Sequence, residues 1–301
     1  MESVLSSTFY KKELPLHLDS ITSAAGKRLF REMFVAGTAE CFFSLCTSFN
    51  TQSDPAFCGV SSLSMVLNAL QIDPRRQWRG VWRWYSEEHL DCCASVEVMK
   101  QKGITFNQFC CLARCHAKVT AKQADRHTLE DFRRDIQAVS QSEGSHLVLS
   151  FSRTALGQTG SGHFSPIGGY HAGEDKVLVL DCARFKYPPF FATVKELWES
   201  LLPQDPETGK CRGYFIISAT EKQKQDIQRR RLQVFNGTGS PASTSSSAFS
   251  SSASLPLQDL SHESSPSLGV SSSSSPNSTP EEEEEEGDTT ECDCLCITGC
   301  K

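Results

Sequence analysis

The chain has 301 residues, with 30 lysine and arginine against 36 aspartate and glutamate side chains, a formal charge of −6 and 14 cysteines. Residues 1–221 carry 24 basic and 24 acidic side chains, and this neutral balance argues against nucleic acid as a partner, since phosphate binding needs a basic face. No apolar run approaches the roughly 20 residues that span a bilayer, so we expect no membrane partner.

The predicted elements place helices first and strands second. Polar caps and apolar periodicity predict helices over 24–35, 58–70, 87–101, 106–114, 129–140 and 194–202. Runs rich in β-branched and aromatic residues predict strands over 146–153, 162–170, 176–183 and 213–219. Helices followed by an antiparallel sheet are typical of an α+β fold.

A change of composition near residue 221 divides the chain into two predicted parts. Residues 1–221 form the predicted folded domain. Residues 222–301 begin with a charged helical segment, then 19 of the 40 residues 240–279 are serine, and six glutamates follow at 281–286. Because such a composition buries too little apolar surface to offset the entropy of folding, we predict a disordered tail.

The cysteine content bears on the cellular compartment. Fourteen cysteines would indicate a disulfide framework in a secreted chain. The first 20 residues lack the apolar core of a secretory signal and the arginine-rich pattern of an organelle transit peptide. We therefore expect a cytoplasmic protein with reduced thiols that are available for catalysis or metal binding.

Cys58 is the candidate nucleophile. An Asp-Pro turn precedes it and an amphipathic helix follows, so its thiol lies where unpaired N–H groups and the helix dipole favour a thiolate. Gln52 lies six residues earlier, and its amide together with the backbone N–H of Cys58 could donate to a tetrahedral oxyanion. Gly59 is expected to leave room for the substrate.

A thiolate nucleophile needs a base, and the base needs a group that orients it. His163 begins a β-rich run after a glycine-rich turn, and Asp181 ends an apolar run that would lie beside it. The order Gln, Cys, His, Asp matches papain-like enzymes. A buried cysteine in a helix is more often inert, so this order alone leaves catalysis open.

Four longer segments extend the match. They are TQSDPAFCGVSSLSMVLNAL at 51–70, DPRRQWRGVWRWYSEEHLDCC at 73–93, QTGSGHFSPIGGY at 158–170 and LDCARFKYPP at 180–189. Over about residues 10–219 the chain resembles the phytochelatin synthases, which implies a papain-like fold. The resemblance also implies that Cys58 is acylated by glutathione with release of glycine, with His163 as base, Asp181 as its orienting acid and Gln52 in the oxyanion hole. A second glutathione, or a growing phytochelatin, would then accept the γ-Glu-Cys unit.

Glutathione carries two carboxylates, so its subsites need cations. Arg184 is the first candidate, because a planar guanidinium binds a carboxylate through two hydrogen bonds. Lys186 and Arg153 are further candidates, with a role as ordinary surface charges as the alternative. Gly162, in the turn before His163, is assigned to the substrate cleft.

The resemblance implies activation by heavy-metal ions such as cadmium, zinc or copper, carried as thiolates of glutathione, and no organic cofactor. The tail has the clearer metal-ligating pattern, beside an acidic run that raises the local cation concentration. Its cysteines are Cys292, Cys294, Cys296 and Cys300.

A second group of cysteines falls on two predicted helices. Their spacing matches no tetrahedral zinc signature, so the metal signal is weak and core packing is the alternative for each of them. The group comprises Cys92, Cys93, Cys111 and Cys115.

Two rival functions stay open from the sequence. The first is a peptidase that hydrolyses glutathione or its S-conjugates at the same site. The second is a non-catalytic metal buffer that uses the tail and helix cysteines. The expected partners are glutathione, phytochelatins and heavy-metal ions, and the sequence leaves a homodimer open.

Overall fold

The computed structural model describes residues 12–93 and 95–237, for the last four of which only the backbone is described. Within this part of the chain there are eight α-helices and seven strands. The helices are α1 (Ala24–Val35), α2 (Glu40–Thr47), α3 (Cys58–Ala69), α4 (Val96–Lys102), α5 (Phe106–Arg114), α6 (Leu129–Ser140), α7 (Val194–Leu201) and α8 (Glu221–Gly237). The strands are β1 (Asp19–Ser20), β2 (Lys118–Gln123), β3 (Ser145–Ser152), β4 (Gly162–His171), β5 (Lys176–Val179), β6 (Phe190–Thr193) and β7 (Gly213–Ser218).

The seven strands form one antiparallel sheet in the order β1-β6-β5-β4-β3-β7-β2. Five helices precede β2, so the helical part comes first and most of the sheet second. This arrangement confirms the predicted α+β fold class. The helix α8 begins at Glu221, at the predicted division of the chain, and the division into two domains stays a prediction.

Side chains on the two faces of the sheet enter two different cores. One face contributes Val148, Phe164 and Phe215, which pack against α1, α2, α3 and α5. The other contributes Leu147 and Leu149, which pack against α6 and α7. Helix α3 lies inside the first core with ten of its twelve residues buried, because it is apolar or small-sided around its whole circumference.

Local capping explains where several helices begin. Thr105, Thr128 and Thr193 each close a capping box before α5, α6 and α7, and each accepts a hydrogen bond from the backbone N–H three residues later. The predicted helix starts at these three positions are therefore confirmed. Within the described residues, no helix is both long and apolar enough to cross a membrane.

The predicted helix over 87–101 is wrong. Glu87–His89 forms a single 3₁₀ turn, and α4 starts only at Val96, where Ser95 caps it by accepting from the N–H of Val98. The interval between the two carries Cys93, which is bonded to Cys111 of α5. This contact with a distant residue overrides the local helical periodicity. Helix α2 and strands β1, β2 and β6 have no counterpart among the predicted elements.

Candidate active site

Cys58 is the first residue of α3, as predicted. The turn before it is held by Asp54, whose backbone carbonyl accepts from the N–H of Phe57 at 3.0 Å and whose carboxylate accepts from the N–H of Ala56 at 2.9 Å. Phe57 is apolar and offers no side-chain cap to the first turn. The positive end of the helix dipole is therefore directed at a half-buried thiol.

Gly59 has a different role from the one expected. A Cβ atom at this position would lie 2.4 Å from Cδ1 of Ile104, so the space beside the glycine is already filled by an apolar side chain. The glycine therefore allows the segment before α5 to pack against the first turn of α3. It does not provide room for substrate.

His163 and Asp181 come together because β4 and β5 are antiparallel neighbours. Nε2 of His163 lies 2.9 Å from Oδ1 of Asp181, and both side chains are buried. His163 also attracts and hydrogen-bonds the thiol of Cys58, which the backbone amide of Phe164 contacts as well, and the neighbouring thiol of Cys182 interacts with the same imidazole. The predicted cysteine, histidine and aspartate therefore lie within one hydrogen-bonded chain.

The electrostatics of these residues favour the charged forms of Cys58 and His163. Burial opposes ionisation of Cys58, but the attraction and hydrogen bond of His163 outweigh it and hold the pKa of the thiol below its usual value. Burial and the positive charge of Arg153 both act to lower the pKa of His163, yet Asp181 and Cys58 together raise it well above the ordinary value. A thiolate beside an imidazolium is the expected resting state.

Arg153 forms a buried ion pair with Asp181. Its Nη2 is 2.9 Å from Oδ1 and 2.7 Å from Oδ2 of Asp181, and its Nη1 donates to Gln158 at 2.5 Å. The guanidinium is only 3% exposed and lies over the ring of Tyr187 at 5.2 Å. Because Nη1 and Nη2 are paired inside the protein, the structure favours a role of Arg153 in holding Asp181, and its binding of a substrate carboxylate stays a prediction.

Gln52 is buried beside the nucleophile, with its amide held by the turn. Nε2 donates to the backbone carbonyls of Asp54 and Pro55 at 2.9 and 3.0 Å, and Oε1 accepts from the thiol of Cys182 at 3.4 Å. Its backbone N–H also donates to the carbonyl of Cys182 at 3.0 Å. A role in the oxyanion hole stays a prediction, and it requires that Nε2 exchange one of these carbonyls for the substrate oxygen.

The other substrate candidates differ in exposure. Arg184 is exposed, lies over the Phe49 ring at 4.8 Å, and lines a cleft of about 400 Å³ together with Thr51, one residue before Gln52. Lys186 is half-buried and donates from Nζ to the carbonyl of Thr159 at 2.6 Å, and burial lowers its pKa. Arg184 is therefore the more accessible cation.

Gly162 is exposed at the start of β4, directly before His163. A Cβ at this position would lie 3.4 Å from Nη2 of Arg212, a buried cation that the sequence did not single out. Its assignment to the substrate cleft stays a prediction.

Comparison with known proteins identifies the family. The sequence profile described as "Phytochelatin synthase" matches residues 9–214. The chain belongs to the phytochelatin synthase family.

Several curated relatives named glutathione gamma-glutamylcysteinyltransferase are similar to this phytochelatin synthase family member. A relative from Arabidopsis thaliana is 48% identical over 219 residues, which cover 72% of this chain and 45% of the relative. One from Lotus japonicus is 50% identical over 202 residues, covering 67% of this chain and 40% of the relative. One from Schizosaccharomyces pombe is 41% identical over 214 residues, covering 71% and 52%. The chain thus spans about half the length, or less, of the relatives that it matches.

The structure describes one of the two cysteine groups that the sequence offers as metal ligands in this family member. The weakly predicted group is brought together: Cys93 is disulfide-bonded to Cys111, and Sγ of Cys93 lies 3.8 Å from Sγ of both Cys92 and Cys115. The expectation of reduced thiols does not hold for the bonded pair. The tail group Cys292, Cys294, Cys296 and Cys300 lies outside the described residues.

Sequence reasoning missed Cys182, which is fully buried against the active site. Its Sγ lies 3.6 Å from the carbonyl of Cys58 and 3.6 Å from that of Phe164, and burial raises its pKa, so the thiol stays neutral beside the thiolate of Cys58. Its position directly after Asp181 was the only signal in the sequence that pointed to it.

Proposed function

We propose that this chain transfers γ-Glu-Cys from one glutathione to a second glutathione or to a phytochelatin, as the names of its relatives suggest. The observation that carries the proposal is the Cys58–His163–Asp181 chain. It combines a thiol of lowered pKa at a helix N-terminus with an imidazole that a buried carboxylate holds through Nε2.

The first half of the reaction is acylation. The Cys58 thiolate attacks the carbonyl carbon of the Cys–Gly amide, and the tetrahedral oxyanion takes hydrogen bonds from donors at the start of α3. Nδ1 of His163 gives its proton to the glycine nitrogen as the C–N bond breaks. Glycine leaves, and γ-Glu-Cys remains on Sγ as a thioester.

The second half returns the enzyme to its starting state. The γ-glutamyl amine of the acceptor gives a proton to His163 and attacks the thioester carbon. The C–S bond breaks, a new amide forms, and Cys58 leaves as a thiolate beside the reprotonated imidazole. Attack by water at this stage would yield free γ-Glu-Cys, which is the outcome of the rival hydrolase.

Asp181 and Arg153 act as a positioning pair in this scheme. Asp181 holds the imidazole through Nε2, which leaves Nδ1 for the proton transfers, and the backbone N–H of Ala183 donates to the same carboxylate oxygen at 2.8 Å. His163 and then Arg153 supply the compensating charge that allows a carboxylate with no exposed surface to stay ionised. Neither residue touches the substrate in this proposal.

The substrate and its metal are also proposals. Arg184 would bind a glutathione carboxylate in the cleft beside Phe49, and Lys186 would contribute a weaker, half-buried charge. Heavy-metal ions such as cadmium, zinc or copper would enter as thiolates of the acceptor glutathione, and no organic cofactor is needed for either half of the reaction. Cytoplasmic glutathione, which is abundant and reduced, suits this role.

The experiment is incubation of the full chain with glutathione and Cd²⁺, followed by mass spectrometry. We expect the product that contains two γ-Glu-Cys units, and its loss in the variant Cys58→Ser. Cys46→Ser is the matched control, because Cys46 is exposed on α2, outside this site.

Two results would contradict the proposal. Release of glycine together with free γ-Glu-Cys alone would support the hydrolase. Product formation by Cys58→Ser at the rate of the parent would remove the nucleophile from the mechanism, and unchanged cadmium tolerance of cells that express this variant would support the metal buffer.

A further inference from the structure

A compact group of four cysteines lies outside the active site, at the junction of the loop before α4 and the end of α5. We call it the four-cysteine cluster. Sγ of Cys93 is bonded to Sγ of Cys111 and lies 3.8 Å from those of Cys92 and Cys115. The sulfur atoms of Cys92, Cys93 and Cys115 all lie within 4.8 Å of one another. Four sulfur atoms this close can surround one metal ion.

The chain brings these residues together through two local features. Cys111 and Cys115 are four residues apart at the end of α5, so their side chains share one face of the helix. Cys92 and Cys93 lie in the loop that interrupts the predicted helix before α4, and this irregular backbone lets two adjacent residues turn toward the same point. Spacing along the sequence did not reveal this arrangement, because the loop is not a standard zinc-binding turn.

The chemistry of the cluster depends on its oxidation state. Four thiolates form a tetrahedral site for a soft divalent ion such as Cd²⁺ or Zn²⁺. The disulfide between Cys93 and Cys111 removes two of the four ligands, since a disulfide sulfur is no longer a thiolate. We propose that the four-cysteine cluster is a soft-metal site that the Cys93–Cys111 disulfide closes and that reduction opens.

Reduction of the Cys93–Cys111 disulfide requires a thiol as reductant and proceeds by thiol–disulfide exchange. One small-molecule thiolate attacks Sγ of Cys93, which breaks the S–S bond, forms a mixed disulfide and releases Cys111 as a thiolate. A second small-molecule thiolate attacks the mixed disulfide, releases Cys93 and leaves as the oxidised small-molecule disulfide. Two electrons pass to the protein, and the protons given up by the two reductant thiols are available to the two released sulfurs.

The burial of the cluster suits such exchange. Cys92, Cys93 and Cys115 are half-buried, whereas Cys111 is only 7% exposed. An attacking thiolate can therefore reach Cys93 from solvent, and Cys111 is the protected leaving group. Metal binding to the reduced form would displace the remaining thiol protons, so the affinity should increase with pH.

This inference is independent of the proposed transferase activity, because its test is metal binding. The test uses the full chain with Cys292, Cys294, Cys296 and Cys300 replaced by serine, so that the tail offers no thiolates. The probe is Cd²⁺ alone, added without oxygen to the reduced and to the oxidised protein. The readouts are the ultraviolet charge-transfer band of cadmium thiolates and the amount of bound metal after dialysis.

We expect the reduced protein to bind one more Cd²⁺ tightly than the oxidised protein. Cys111→Ser and Cys92→Ser should each weaken that binding by at least about tenfold, because even residues that only orient metal ligands contribute this much. Cys46→Ser, an exposed cysteine on α2, should leave it unchanged. Since Cys111 is buried and its variant can misfold, the half-buried Cys92 provides the second, independent variant.

Mass spectrometry of the oxidised protein, alkylated without reduction, tests for the disulfide itself. It should find Cys93 and Cys111 in one linked peptide pair. Equal cadmium binding by the oxidised and reduced proteins would overturn the redox control. Cadmium affinity unaffected by Cys92→Ser in a variant with a native circular dichroism spectrum would overturn the site itself.

Discussion

Replacement of Arg153 by methionine tests the buried charges behind the active site. Arg153 and Asp181 are 3% and 0% exposed, and Nη2 lies 2.7 Å from Oδ2. Removal of one partner of a buried pair costs about 3–5 kcal/mol, because the remaining charge keeps its desolvation penalty. His163 still contacts Asp181 in the variant, so we expect the lower end, about 3 kcal/mol of unfolding free energy. For a domain of this size that corresponds to a fall in Tm of about 6–12 °C.

The assay is urea unfolding of the full chain and of a matched variant, Arg134→Met. Arg134 also pairs with an aspartate, Asp131, at 3.0 Å, but its side chain is 70% exposed. An exposed pair contributes little to stability because solvent screens it, so this control should lose much less stability. A loss in Arg153→Met that is no larger than the loss in the control would refute the assignment of Arg153 as the compensating charge.

The pH dependence gives the same prediction a second measurement. Burial favours the neutral form of Asp181, but His163 and then Arg153 outweigh it and lower the pKa of its carboxyl. A lowered carboxyl pKa stabilises the fold above the ordinary value of about 3.9, and this contribution is lost as the pH falls through the folded-state value. Without Arg153 that pKa rises and protonation relieves the uncompensated charge. The gap in stability between parent and variant should therefore narrow from about pH 7 toward about pH 4.

Three further predictions concern the reaction. Asp181→Asn should lower kcat by at least about a hundredfold with KM little changed, since the imidazole loses its orienting charge; steady-state kinetics measure this, and a change confined to KM would contradict it. The pKa of Cys58 is lowered and that of His163 is raised, so kcat/KM should stay level through neutral pH. It should fall in acid as the thiolate is protonated and fall in alkali as His163 loses its proton. A single rise of kcat/KM near the pKa of an ordinary thiol, about 8.5, would disprove the ion pair. Arg184→Lys should raise the KM for glutathione about tenfold and leave kcat within about twofold, because only two-point carboxylate binding is lost; an unchanged KM would exclude Arg184 from the subsite.

The juxtaposition of Cys58, His163 and Asp181 could be predicted from the sequence because each residue lies at the end of an element with a strong local signal. Apolar periodicity places Cys58 at a helix start, and two apolar runs of strand length bring the other two residues together. The starts of α5, α6 and α7 were predictable for a similar reason, since three threonine capping boxes act within a few residues.

The surroundings of these residues could not be predicted, because they depend on contacts between distant parts of the chain. An arginine that ends a strand is equally compatible with a surface subsite and with the buried pair that Arg153 forms. The loop at Cys92 and Cys93 replaces a helix whose periodicity was acceptable, and it does so where Cys93 meets a residue 18 positions later. Neither outcome follows from local propensity, which tertiary contacts override.

The contact between Gly59 and Ile104 couples the first turn of α3 to the segment that precedes α5. Ile104 belongs to the short connection between α4 and α5, and its side chain occupies the volume that a larger residue at position 59 would need. A displacement of that connection by a few tenths of an ångström would be transmitted directly to the first turn of α3. The position of the Cys58 sulfur therefore depends on the packing of a segment that takes no part in the reaction.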